Sequence, residues 1–367
     1  MNVPRRGGGR AQGERRAASV RPVRKQPALK SLFWGFYKFL VAVSALIVAV
    51  YVGVTLWVRP PEQSQTAPPS QTGGQTVPVG DVGDGSVQDE NALVLREGVY
   101  NILLAATDEE GYRTDTMMVL CYDVPNQTVG VVSIPRDTLI AREKGDHRLV
   151  YGSGGVKQRV TDISDMLGVP IDYYVKVNIK GFIALVDYLG GVDFYVPCDM
   201  NYDDPIQGLS IHYTEGMQHL TGQQAMEVSR FRKNNPDEHG NSTGYSDVGR
   251  TQTQQKLLTA LAKKVLSWNS LTKINGFVEI FNKYVDTDLE LNDMLYFASK
   301  AIGVDVSSGV ETATLEGRGD GIYGNTKYCY ELDQEKTLET VNRLINPYTR
   351  DLTLEDMNLP RAQRYMG

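Results

Sequence analysis

The pattern of apolar and polar positions divides the chain into stretches of different character. Phe39 to Val58 (FLVAVSALIVAVYVGVTLWV) is an apolar run of 20 residues without a charge. As a helix it is long enough to cross ~30 Å of hydrocarbon. Trp34, Tyr37 and Trp57 sit near its ends, where interfacial aromatics belong. Residues 59–90 then turn to Pro, Gly, Gln, Ser and Thr, the composition of a disordered spacer. From about residue 91 short apolar runs begin, bounded by Gly, Pro and Asp. Val99–Ala106, Thr116–Tyr122, Thr128–Ile134 and Tyr173–Val177 read as strands, the first three as buried ones. Helical spacing over 156–167 ends at Gly168, and Lys180–Leu189 is a helix closed by Gly190-Gly191 before a strand at Val192–Val196. Gly222–Arg232, Val248–Leu266, 271–283 and 290–301 read as helices, followed by a strand near 311–315 and a helix over 333–345.

Strands alternating with helices predict an α/β domain, a central sheet covered by helices. No internal repeat and no second linker are visible. The expected division is a basic tail over 1–33, a membrane helix over 34–58, a disordered linker over 59–92, one exported domain over 93–350 and a C-terminal tail over 351–367.

Charge sets the orientation. The net charge of −6 conceals nine basic residues and one acid within residues 1–30, leaving 29 basic against 43 acidic residues in the remainder. The basic excess lies wholly before the apolar run, so the N-terminus is expected in the cytoplasm and the domain outside. A cleaved signal peptide is the alternative. It fits poorly, because the run exceeds a usual signal core and no small-x-small site follows it before Arg59-Pro60-Pro61. An acidic body argues against nucleic acid as a partner, and a tail of 30 residues is too short to fold alone as a DNA-binding unit. The cell membrane is the expected partner of the tail, through anionic lipid. Three cysteines do not make a disulfide framework. Cys121 lies in an apolar run and reads as a buried thiol, whereas Cys198 and Cys329 have the option of pairing in an oxidising exterior.

Three polar clusters follow buried strands or flank helix ends, where α/β folds place ligands. Asp108 and Asp115 are seven residues apart, one ending a strand and one beginning the next. Such a pair suits Mg²⁺ shared with a substrate phosphate; the alternative is a turn with local pairing. Arg136 follows a strand in Ser133-Ile134-Pro135-Arg136-Asp137. It either pairs with Asp137 or offers a planar fork to phosphate oxygens. Arg230 and Arg232 end one helix, and Asp247, Arg250, Gln254 and Gln255 open the next. An arginine in a first helical turn opposes the helix dipole, a conflict that a bound anion relieves; solvent-exposed charge is the other reading. Arginines beside two carboxylates suit a pyrophosphate. No P-loop and no GxGxxG after a strand is present, and outside a cell a lipid-borne pyrophosphate fits better than a nucleotide.

The segments NILLAATD (101–108), RTDTMMVL (113–120), VGVVSIPRDT (129–138), LGVPIDYYVKVNIKGFIALVDYLGGVDFYVP (167–197), GMQHLTGQQAMEVSRFRK (216–233) and DVGRTQTQQKLL (247–258), in this order, resemble the LytR-CpsA-Psr family of cell-wall enzymes. The resemblance implies an α/β domain with an apolar cavity for a polyprenyl chain. It also implies Mg²⁺-dependent transfer of a glycopolymer from undecaprenyl pyrophosphate to a peptidoglycan hydroxyl. By position it implies Asp108 and Asp115 as metal ligands, and Asp115, Arg136, Arg230 and Arg232 as catalytic residues. Arg136, Arg230, Arg232, Asp247, Arg250 and Gln254 would hold the pyrophosphate. A polyprenyl-pyrophosphate hydrolase and a non-catalytic lipid-binding scaffold are the alternatives. Three positions depart from the family pattern: Thr253 where the family often carries Arg, the lip His147-Arg148-Leu149-Val150-Tyr151, and Ala106 where Gly is usual.

Overall fold

The structure, a computed structural model, describes residues 59–64, 92–107, 114–141, 148–152, 154–206, 208–237, 239, 247–266 and 274–366, with the backbone alone at 114–115, 148, 247–248, 266 and 274–278. The expected basic tail, the membrane helix and positions 65–91 of the spacer lie outside the described residues. Among the described residues no helix is long and apolar enough to cross a membrane.

In chain order the strands are β1 (Val99–Thr107), β2 (Thr114–Asp123), β3 (Thr128–Ile134), β4 (Leu139–Ile140), β5 (Arg148–Leu149), β6 (Tyr173–Asn178), β7 (Val192–Val196), β8 (Met200–Asp204), β9 (Leu209–Tyr213), β10 (Gly216–Leu220), β11 (Val285–Thr287), β12 (Val310–Thr314), β13 (Gly317–Tyr323), β14 (Thr326–Leu332) and β15 (Arg364–Tyr365). The helices are α1 (Gly155–Leu167), α2 (Ile179–Tyr188), α3 (Gly222–Arg230), α4 (Asp247–Leu266), α5 (Ile274–Tyr284), α6 (Leu291–Ala301) and α7 (Gln334–Leu344).

The central sheet has the order β11-β6-β1-β2-β3-β12. Its middle strands bury both faces, which is why their sequences run apolar without alternation. One face, with Leu103, Val119 and Val132, packs on Ile163 and Met166 of α1 and Val341 and Leu344 of α7. The other face turns Tyr100 and Tyr122 to Tyr296 and Phe297 of α6. β1 runs parallel to β6, β3 runs parallel to β12, and β2 runs antiparallel between β1 and β3. The C-terminal ends of β1, β6, β3 and β12 therefore share one edge with the start of β2.

A second core gathers α2, β7 to β9, α3 and α4 around Phe194, Ile211, Val228, Phe231 and Leu257. β7 pairs with β10 outside the central sheet. Its residues alternate buried and exposed, the mark of a strand covered on one face only.

Two boundaries differ from the sequence reading. Residues 59–64, at the start of the expected disordered linker, are docked on the domain. Tyr100 and Tyr173 hydroxyls donate to the carbonyls of Pro61 and Glu62, and Gln63 Nε2 donates to the carbonyls of Arg96 and Val99. Polar composition alone cannot reveal such distant partners. The expected C-terminal tail is likewise part of the domain: Leu352 and Met357 are buried in the main core, and β15 pairs with β13. Cys121, Cys198 and Cys329 are free thiols.

Asp172 accepts from the backbone N–H groups of Asn101 and Ser64 at 2.7 and 2.6 Å. Burial nevertheless pushes its carboxyl up to about 7. The folded state thus holds this proton to higher pH than the unfolded chain, where a carboxyl titrates near ~4. Its contribution to stability is full below pH ~4 and is lost as pH rises through about 7. Asp172→Asn, uncharged throughout, is expected to flatten that decline in thermal unfolding measured from pH 4.5 to 8. Parallel curves for the two proteins would refute the assignment.

Candidate functional site

The edge shared by the strand ends holds the start of β2 with Asp115 and the end of β3 before Arg136, with α4 seated beside them. Ala106 pairs with Thr116 and Thr107 with Thr114, so Asp115 is the extra residue of a bulge at the start of β2. Bulges re-aim a side chain at a sheet edge. The backbone of Asp115 thus lies beside the last residues of β1. Asp108 and the Asp115 side chain lie outside the described residues. Among the described residues no group of three or more His, Cys, Asp or Glu side chains could hold a metal.

Arg136 leaves the C-terminal end of β3 at the same edge. Its Nε is 3.5 Å from Asp137 Oδ1, and its guanidinium carbon lies 4.7 Å from the centre of the Tyr151 ring. The Asp137 carboxylate lies along one side of the fork, and the ring supports its plane. Tyr151 belongs to the lip that departs from the family pattern. Its N–H donates to the Arg136 carbonyl at 3.3 Å. Beneath it, Arg159 of α1 is 3% exposed and donates from Nη2 to the Tyr151 carbonyl at 3.2 Å. Burial lowers the Arg159 guanidinium from its ordinary value, with Asp162 opposing. A chain of contacts from Arg159 through Tyr151 thus orients Arg136. The sequence reading missed Arg159; its signal was a charge on the apolar stripe of α1 formed by Val156, Ile163 and Met166.

α4 carries Arg250 and is seated at this edge, whereas Arg230 and Arg232 lie at the end of α3. Gln255, 5% exposed, donates from Nε2 to Ser133 Oγ at 2.9 Å and to the Ala313 carbonyl at 2.7 Å. This fixes α4 to the ends of β3 and β12, three residues before Arg136. Gln254 donates to the Ser229 carbonyl at 3.1 Å, tying α4 to the last turn of α3 beside Arg230. Arg250 lies four residues before Gln254, on the same face of α4, and so faces the end of α3. Arg230 sits at a helix C-terminus, where the dipole favours a cation. Phe231 is buried between Arg230 and Arg232, so the two arginines flank an anchored residue. Both lie near Tyr202, whose hydroxyl they favour in its ionised form against the larger opposing effect of burial. Asp247 opens α4, with its side chain outside the description. Thr253 is 4% exposed and donates to the Gly249 carbonyl at 3.0 Å, so this departure faces packing. Gln254 is thus brought in as a brace between two helices, and Gln255 is the residue that seats α4.

Gln255→Leu keeps the volume and strands buried acceptors. It is expected to cost ~1–3 kcal/mol and to lower activity through the misplaced Arg250. Chemical unfolding of the full-length protein checks the first effect; an unchanged midpoint would show that the contact carries no stability.

A sequence profile described as the LytR_cpsA_psr family matches residues 78–346. A "polyisoprenyl-teichoic acid–peptidoglycan teichoic acid transferase TagU" of Bacillus mycoides is 34% identical over 212 residues, which is 56% of this chain and 65% of that protein. The chain therefore spans slightly under two thirds of that relative. TagU of Bacillus anthracis is 32% identical over 243 residues, covering 64% of this chain and 75% of that one. The crystal structure of B. subtilis TagV superposes with a TM-score of 0.56 at 25% identity, covering 67% of this chain and 95% of that one. TagT bound to LI-WTA superposes with a TM-score of 0.54 at 22% identity, covering 69% and 92%, a likeness of fold.

Proposed function

The chain belongs to the LytR_cpsA_psr family, and from that premise we propose that it transfers a glycopolymer from undecaprenyl pyrophosphate to a hydroxyl of peptidoglycan, outside the cell membrane. The observation that carries the reading is the convergence at one sheet edge. There the Asp115 bulge, Arg136 on its Tyr151 support, and α4 seated by Gln255 on Ser133 meet. The TagU relatives, named as teichoic acid transferases, support the same class of acceptor and donor.

In this reading Arg136, Arg230, Arg232 and Arg250 hold the pyrophosphate oxygens, with Gln254 and Asp247 bracing the last of them. The acceptor hydroxyl attacks the phosphorus that carries the glycan. A new oxygen–phosphorus bond forms, the bridging P–O–P bond breaks, and polyprenyl phosphate leaves. Asp115 takes the hydroxyl proton. The arginines stabilise the charge that develops on the equatorial and leaving oxygens, the main work of a phosphoryl-transfer site. Two carboxylates, one following β1 in the sequence and one at the start of β2, are hard oxygen donors suited to Mg²⁺, so Asp108 and Asp115 would hold it. When bound, the ion neutralises charge on phosphate oxygens.

The test uses the full-length protein in micelles with a lipid-pyrophosphate oligosaccharide and a short peptidoglycan glycan, with Mg²⁺ or chelator, and mass spectrometry of the products. The expected result is a phosphodiester adduct that chelation abolishes. Sugar phosphate without adduct would make the chain a hydrolase. Lipid binding without turnover would make it a scaffold.

A further inference from the structure

α6 is apolar on two sides. Its inner side packs Tyr296 and Phe297 against Tyr100, with ring centroids 6.3 and 5.1 Å apart. The opposite side carries Leu291, Leu295, Ala298 and, at the helix end, Ile302. At ~100° per residue these four fall within an arc of ~60°. Leu291, Leu295 and Ile302 are 66%, 40% and 80% exposed. Other exposed apolar side chains, such as Ile206 and Met217, belong to other elements. A helix with an apolar outer face on a water-soluble domain needs something to cover that face.

What covers it is indicated by the docked segment 59–64. Asn292, in the first turn of α6, donates from Nδ2 to the Arg59 carbonyl at 3.2 Å. The next residues are fixed in turn: Pro61 by Tyr100, Glu62 by Tyr173, and Ser64 by Asp172. Arg59 directly follows the 20-residue apolar run that ends at Val58, and consecutive Cα atoms are ~3.8 Å apart. Arg59, the first residue after that run, is therefore fixed at the start of α6 by Asn292.

We propose that the outer face of α6 lies in the lipid–water interface of the membrane, holding the domain against the bilayer instead of floating it on a flexible spacer. This rests on the reading of 34–58 as an uncleaved anchor. Leu291, Leu295 and Ile302 enter the boundary between headgroups and acyl chains, ~5–10 Å deep, as interfacial helices do. Three large side chains are a weak patch for a free protein, but the anchor confines the domain to the surface and raises the effective concentration of that encounter. The flanking charges are mixed: Lys300 and Arg59 against Glu290 and Asp293. The contact is therefore apolar, and it forms on zwitterionic lipid as well as on anionic lipid.

The test is depth-dependent quenching on the full-length chain in phosphatidylcholine vesicles. A Cys198→Ser background leaves only the buried Cys121 and Cys329, whose thiols burial pushes up. An environment-sensitive fluorophore is placed at Leu295→Cys, or at Lys327→Cys on exposed β14 as the reference. The expected result is flotation of the chain with the vesicles, quenching of the 295 label by shallow nitroxide lipids, and none at 327. Adding Leu291→Gln and Ile302→Gln, both at exposed positions, should return the 295 label to water. Flotation without quenching at 295 would overturn the proposal and leave the anchor standing. Failure to float would remove the anchor and the proposal together. A blue-shifted but unquenched 295 label whose signal grows with protein density would assign the face to a second copy of the chain, again overturning it.

Discussion

Replacing Arg136 with alanine is expected to lower the rate of phosphodiester formation by ~10²–10³-fold, the usual effect of removing one charge-stabilising donor from a preorganised site. Stability should fall by no more than about 1 kcal/mol, because the guanidinium contributes a ring contact and a partly exposed ion pair. Arg136→Lys should recover little activity. A lysine offers a point charge where the Tyr151 ring and Asp137 hold a planar fork. Arg159→Met separates position from contact. Arg159 reaches the site through the Tyr151 carbonyl, so its loss should lower kcat while lipid binding changes little. Tyr151→Phe, which keeps the ring, should retain activity. Single-turnover assays with each variant decide the matter. Wild-type turnover in Arg136→Ala would remove this residue from the chemistry and with it the proposed site edge.

The framework of that edge was legible because its strands are buried on both faces. Val99–Ala106, Thr116–Tyr122 and Thr128–Ile134 are near-continuous apolar runs, and the structure places them as neighbours in the central sheet. Arg136 could be singled out because it follows such a run through a proline. The hairpin β13–β14 escaped notice. Its sequence, GRGDGIY and TKYCYEL, is rich in glycine and charge, and its outward residues show no clean alternation. β7 was legible as a strand but not as a member of a separate sheet, since pairing with β10 is a contact 20 to 28 residues away. The supports of the site were hidden for the same reason. Gln254 and Gln255 are adjacent and chemically identical, yet one reaches Ser229 and the other Ser133, 25 and 122 residues distant. Only the helix rotation assigns them. The docking of residues 59–64 was masked by composition: its bonds run mostly through backbone carbonyls, which every residue possesses.

Gly130→Ala is expected to be the most damaging small substitution in the fold. Gly130 lies in the buried part of β3, between Cys121 of β2 and Glu311 of β12. A Cβ there would stand 2.0 Å from the Leu344 carbonyl oxygen and 2.8 Å from its carbon. Both are backbone atoms, so no side-chain rotation relieves the overlap, and the C-terminal end of α7 must retreat by more than an ångström. That end is fixed on both sides. Leu344 and Ile345 are buried in the main core, and the fully buried Asn101 donates to the Ile345 carbonyl at 3.2 Å and to the Pro170 carbonyl at 3.1 Å. Retreat would stretch the first of these bonds and open the packing around Val341. The cost should reach the upper end of ordinary overpacking, ~3 kcal/mol or more, which for a domain of this size lowers the melting temperature by ~6–12 °C. Gly152→Ala is the matched control, since a Cβ there meets nothing within 4 Å; it should be neutral or slightly stabilising through the unfolded chain. Thermal unfolding of both variants, followed by near-ultraviolet circular dichroism, makes the comparison. Equal melting temperatures would mean that α7 yields to β3 at no cost, and that the main core is looser at this junction than its burial implies.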